Sequence, residues 1–127
     1  MSEGAPGLVE DPLHYRLMGE GDIYLMLSRL EGGPLPLIEA MGLGMWPICT
    51  PVGMAPEIIR HGHNGFIVPP YDGCNADRIA DEVSRLVRML DRRTLRAAID
   101  PIRSSVADRT WSNFRGEIRK ILAQTFD

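Results

Sequence analysis

The stretch DIYLMLSRLEGGPLPLIEAMGLGMWPICTPVGMAPEIIRHGHNGFIVPP, residues 22–70, decides the fold. It opens on DIYLML, 22–27, a continuous apolar run of strand length, which suits a parallel strand covered on both faces. SRLEGGP, 28–34, reads as a loop, and LPLIEAMGLG, 35–44, as a helix of about two and a half turns. WPICT, 46–50, is a second strand, with Pro47 near its start where a missing N–H matters least. PVGMAPEIIR is a turn followed by one helical turn, and Asn64-Gly65 sets up GFIVPP, a third strand closed by two prolines. Strands alternating with helical segments predict βαβ units: an α/β, Rossmann-like, three-layer domain with a short parallel sheet of about three strands.

Outside that stretch the pattern is helical. Residues 1–10, MSEGAPGLVE, read as a flexible lead-in, and Asp11-Pro12 as an N-cap and N1 pair ahead of Leu13, Leu17 and Met18. Ile79, Val83, Leu86, Val87 and Leu90 keep helical spacing, with Asn75 or Asp72 as the expected cap. Leu95, Ala98, Ile99, Ile102 and Val106 repeat it, and Pro101 is expected to kink or break that helix. Ser112 is the expected cap of a last helix over 112–125, whose inner face would be Phe114, Ile118, Ile121 and Leu122.

Composition bounds the function. With 127 residues, 44% hydrophobic and 24% charged, the chain can bury enough apolar surface to fold as one domain and is no disordered tail. No apolar run approaches the roughly 18 residues of a membrane span, and no charged segment followed by an apolar one opens the chain. Cys49 and Cys74 make no disulfide scaffold, so the expectation is a reduced, cytoplasmic protein. The net charge of −3 conceals a split. Residues 1–77 carry three arginines against ten acids, and residues 78–127 eleven Arg/Lys against seven acids. The basic residues interleave with acids on helical patterns and lack a stacking aromatic set. That is the pattern of solvated helix faces, not of a nucleic-acid partner.

Ser28 to Met41 carries the chemistry. It lies where a parallel strand ends and a helix begins, the place where open α/β sheets bind ligands. Gly32 and Gly33 allow close backbone approach, and Pro34 or Pro36 can take N1 of the helix. The amides of Gly33, Leu35 and Leu37 would then serve an anion at the positive end of the helix dipole. Glu31 and Glu39 bracket the loop, and carboxylates accept hydrogen bonds from hydroxyls. Two carboxylates flanking a phosphate cradle suit a pyrophosphate between two polyhydroxylated rings, that is, a nucleotide-sugar.

The E-x7-E spacing at Glu31 and Glu39, inside SRLEGGPLPLIEAMGLGMWPICTPVGMAPEIIRHGHNGFIVPP, resembles the signature of group 1 glycosyltransferases, the retaining family 4 enzymes of GT-B fold. The likeness extends over about residues 13–91. It implies that the chain is part of the C-terminal, donor-binding domain of a hexosyl-transferring enzyme that needs no metal and no other cofactor. By the same resemblance Glu31, Gly32, Gly33, Pro34 and Leu35 would meet the donor sugar and phosphates. Glu39 would bind the ribose, with Thr50, Pro51 and Gly53 lining the nucleotide side; Glu57 would serve its own turn. The acceptor domain of that family has no counterpart in these 127 residues, nor do the Gly-rich turn and the Arg/Lys pair that neutralise the departing pyrophosphate. The helix over 112–125 resembles the one that crosses back onto the acceptor domain. Transfer would therefore need a further half, and a full-length parent could sit peripherally on a membrane.

The remaining candidates read as structure. His61-Gly62-His63 would form the turn before Asn64-Gly65 and hold no metal, and Cys49 would be a buried small hydrophobe. Ser28 has no paired His or Asp that would make it a nucleophile. A second reading is a non-catalytic module derived from the same domain: three strands leave a sheet edge open, which predicts a homodimer or a partner chain.

Overall fold

The structure, a computed structural model, describes residues 12–126; the expected lead-in and the Asp11 cap lie outside them. Three parallel strands, β1 (Ile23–Met26), β2 (Trp46–Cys49) and β3 (Phe66–Ile67), form one sheet in the order β1-β2-β3. Ile23 stands opposite Trp46 and Met26 opposite Cys49, while Ile48 and Cys49 face Phe66 and Ile67. Six helices accompany the sheet: α1 (Pro12–Gly19), α2 (Leu35–Gly42), α3 (Ala55–Ile58), α4 (Ala76–Met89), α5 (Arg92–Ser104) and α6 (Trp111–Phe126).

All four residues of β2 are buried, as a central parallel strand with covered faces requires. α2 is the crossover from β1 to β2 and buries Leu37, Ala40 and Met41. α5 packs against both α2 and β2 and buries Ala98 and Ile102. Leu37, Met41, Ile48, Leu86 and Ile102 are among the largest wholly buried side chains, so one continuous core joins the sheet to α2, α4 and α5. The Trp46 ring packs 5.2 Å from that of Phe66, and its buried indole N–H finds no acceptor among the described residues. Such a group costs about 1–3 kcal/mol.

Several local expectations need correction. β1 is parallel but not covered on both faces: Leu25, on the face opposite Met26, is 50% exposed. Asn75 occupies the N-cap position of α4 without a side-chain cap bond. Asp72 instead accepts from the amides of Cys74 and Asn75, lacing the loop ahead of the helix. Pro101 does not break α5, which runs on to Ser104. A proline in the last turn deprives only the Ala97 carbonyl of its helical partner, and Ala97 is exposed to water. Asp91, a cap not anticipated, accepts from Thr94 N at 2.7 Å, and this bond holds its carboxyl below the usual range. The last helix is capped by Thr110, whose Oγ1 accepts from Asn113 N at 3.2 Å, and not by Ser112. Its intended inner face is uncovered: Phe114, Ile118, Ile121 and Leu122 are all exposed.

Burial pushes the Cys49 thiol up to about 12 from an ordinary value of 9.0, against a smaller lowering by its hydrogen bond with Met26. The folded state thus keeps a proton that the unfolded chain releases near pH 9. That contribution to stability is whole below the unfolded value and is lost as pH rises toward the folded one. Urea unfolding of the wild type should therefore lose up to about 1.4 kcal/mol per pH unit above pH 9 relative to Cys49→Ala. Parallel pH profiles for the two proteins would disprove this.

Candidate functional site

The site is assembled at the carboxyl ends of β1 and β2. Thr50, the residue after β2, is wholly buried; its Oγ1 donates to the Ser28 carbonyl at 2.6 Å and its amide to Met26 O at 3.0 Å. These bonds pin the first residues of the loop that leaves β1. Ser28 Oγ in turn donates to Glu31 Oε1 at 2.7 Å, which orients the Glu31 carboxylate and leaves Oε2 without a bonded partner among the described residues. Gly53 completes the clasp at φ +54°, a backbone region that favours glycine. A Cβ there would stand 2.9 Å from Pro34 Cδ and 3.3 Å from Glu31 Cβ. The turn after β2 thus cups the loop after β1.

α2 begins at this loop with Pro34 as N-cap, Leu35 at N1 and Pro36 at N2, so neither proline takes N1. The Leu37 amide donates to Pro34 O at 3.0 Å and is not available to a ligand. The amides of Gly33 and Leu35 have no protein acceptor among the described residues, and both residues are exposed. Two outward donors at the helix start remain of the three expected.

Glu39 lies about one turn inside α2, with His14 Nε2 of α1 at 3.7 Å from its Oε2. Burial above all, then the charges of Cys49, Glu31 and Glu39, pushes the Tyr24 phenol upward. Arg29 stands exposed in the same loop, one residue after Ser28. Sequence reasoning passed over His14, Tyr24 and Arg29. Strand alternation offered a signal for Tyr24, which shares a face of β1 with buried Met26; only tertiary packing brings His14 to Glu39.

Glu31, Gly32, Gly33, Pro34, Leu35, Pro51 and Gly53 are gathered on this shelf, Pro34 buried and the glycines exposed. Thr50 departs from expectation. Its side chain is sealed in and its hydroxyl spent on Ser28, so it holds the loop and does not line a groove. Glu57 is exposed in α3 and its carboxylate bonds to none of the described residues, so it does not fasten its turn. His61 does belong to a turn, its Nδ1 accepting from Ile67 N at 3.0 Å. Two concave regions among the described residues, beside α4 and α5, lie away from this shelf. Chemically the shelf offers carboxylates for hydroxyls, free amides for an anion, and one guanidinium.

Residues 7–99 match the family model described as glycosyl transferases group 1. The chain is 34% identical over 108 residues to the N-acetyl-alpha-D-glucosaminyl L-malate synthase of Bacillus anthracis, covering 85% of this chain and 26% of that protein. It is 33% identical over 90 residues to a GDP-mannose-dependent alpha-(1-6)-phosphatidylinositol monomannoside mannosyltransferase of Mycobacterium tuberculosis (strain ATCC 25618 / H37Rv), covering 65% of this chain and 22% of the other. Among solved structures it superposes on a chain of the GtfA/B complex with a TM-score of 0.71 at 22% identity, over 87% of this chain and 22% of that one. The chain therefore spans about a quarter of the length of these relatives.

Gly53→Ala should strain the clasp twice, through its backbone angle and through contact with Pro34 and Glu31. The expected cost is about 1–3 kcal/mol in urea unfolding, with amide shifts spread over residues 28–35. A loss below about 0.5 kcal/mol with unmoved loop amides would show that the turn does not hold the loop.

Proposed function

The chain belongs to the family of group 1 glycosyl transferases and has the α/β architecture of part of a GT-B fold, and from that premise we propose that it is the nucleotide-sugar-binding portion of a retaining glycosyltransferase. The observation that carries this reading is the shelf itself. Glu31, the amides of Gly33 and Leu35 that have no acceptor among the described residues, and Glu39 one turn further on belong to one strand-to-helix segment inside the family-matched residues.

In this reading the Glu31 carboxylate, already oriented by Ser28, accepts from hydroxyls of the donor sugar. Glu39 accepts from the ribose hydroxyls, and His14 withdraws from it or shares it. The Gly33 and Leu35 amides donate to phosphate oxygens, aided by the dipole of α2. Arg29 is the cation of the loop. The charge that grows on the departing pyrophosphate needs more stabilisation than two amides and one exposed guanidinium supply. Completion by a further half, on the same polypeptide or on another chain, follows from this reading. A cytoplasmic location fits such a donor; among the described residues no helix is long and apolar enough to cross a membrane.

A second reading, a module that binds another protein chain, is favoured by one observation. The outer edge of β1 is unpaired among the described residues, and Leu25 on it is half exposed.

Isothermal titration with UDP-, GDP- and ADP-sugars separates the two. Donor binding predicts heat with at least one nucleotide-sugar and a loss of roughly tenfold or more in Glu39→Ala, the size of a charge-assisted hydrogen bond. A folded chain that binds none of the panel, yet dimerises in light scattering, would replace the first reading by the second.

A further inference from the structure

A second concave region opens at the other end of the sheet from the Glu31–Glu39 shelf. Asp22 precedes β1 and Gly44 follows α2, while Arg92 and Arg96 stand one turn apart on α5. With Gly21 and Ile99 they line a cavity of about 350 Å³, a volume near the lower end of the range for small-molecule sites.

One wall is set by the close approach of Gly44 to Ile99. Gly44 has φ +83°, and a Cβ there would stand 2.8 Å from Ile99 Cγ2, so only glycine lets the end of α2 approach α5 so closely. The charges facing the cavity form no close ion pairs among the described residues. No ion pair involves Arg92, Arg96 or Asp22 among the described residues. Pairing along a helix does occur elsewhere in the chain: Arg85 bonds Glu82 and Lys120 bonds Glu117, both at 2.7 Å. Arg96 has Asp100 one turn further on and is not joined to it, the less favourable order of charges along a helix. Two guanidinium groups and one carboxylate therefore border one small bowl, with Ile99 supplying an apolar wall.

We propose that this cavity binds a phosphomonoester carried on a polyhydroxylated small molecule. Arg92 and Arg96 take the phosphate, since guanidinium forks match its oxygens in pairs. Asp22 accepts from the hydroxyls, and by its own charge it disfavours an anion that brings none. Ile99 faces the C–H surface of the ring or chain. The site is independent of the nucleotide-sugar reading, because no residue is shared between the two. A free sugar phosphate and a phosphoinositol lipid headgroup both have this chemistry.

Nitrogen-edited NMR of the 127-residue chain tests it, with glucose 6-phosphate, glucose and inorganic phosphate as separate titrants. Glucose 6-phosphate should shift the amides of Gly21 and Gly44 more than either partial ligand does. The double variant R92A/R96A should weaken binding roughly tenfold or more. R93A, an exposed arginine outside the lining, and E39A should leave it intact. D22N, as a second variant, should narrow the preference for glucose 6-phosphate over inorganic phosphate. No response of the folded chain at millimolar glucose 6-phosphate overturns the proposal, and so does an equal loss in R93A, which would mean diffuse surface charge. Flotation with phosphatidylcholine vesicles carrying phosphatidylinositol 4-phosphate then assigns the source. Retention that disappears in R92A/R96A points to the headgroup, and glucose 6-phosphate binding without retention points to the soluble compound. Retention without any glucose 6-phosphate response would overturn the site.

Discussion

Strand β2 is the constraint on which the rest of the molecule depends. Its four residues are buried, so both flanking strands, the crossover helix and α5 are placed by what β2 needs covered. The residue that follows carries this order into the site. Thr50 brings a hydroxyl into a sealed position and must find it a partner there, since an unbonded buried hydroxyl costs about 1–3 kcal/mol. The partner is the Ser28 carbonyl, and so the need to satisfy one buried oxygen fixes where the β1 loop starts. Ser28 passes the constraint on to Glu31. The carboxylate is thereby placed by a chain of two hydrogen bonds that begins in the core.

That dependence explains how much could be read in advance. DIYLML, WPICT and GFIVPP announce three parallel strands because apolar runs of that length between turn residues have few other solutions. Glu31, the paired glycines and Glu39 were legible because their spacing around a helix start is local. What escaped is what tertiary packing decides. Whether β1 is covered depends on neighbours that the run itself does not reveal, and Leu25 proves exposed. Thr50 and Ser112 follow the same logic. A polar residue at a strand end can face a ligand or the core, and either of two hydroxyl residues two positions apart can cap a helix; only the backbone path selects one.

The acidic and basic halves of the chain also change meaning in three dimensions. The acid-rich segment holds a shelf with two carboxylates and one guanidinium, a poor trap for a phosphate until hydroxyl groups accompany it. The basic segment is largely the solvated helix surface that its interleaved charges suggested, with pairs such as Glu82–Arg85 and Glu117–Lys120. Arg92 and Arg96 stand apart from that pattern through position and not composition: they face Asp22, a residue of the other half.

The two margins of the sheet differ in kind. β3 is two residues long and runs directly into Val68, Pro69 and Pro70, so that side offers a newcomer almost no backbone donors. β1 has twice that length, no proline, and an outer edge that no described residue pairs. The sheet can therefore lengthen in one direction only. A polypeptide that extends it at β1 pairs alongside Ile23 to Met26, and its side chains flank Leu25. An accretion so directed adds breadth next to the Glu31 loop and leaves the β3 margin unchanged.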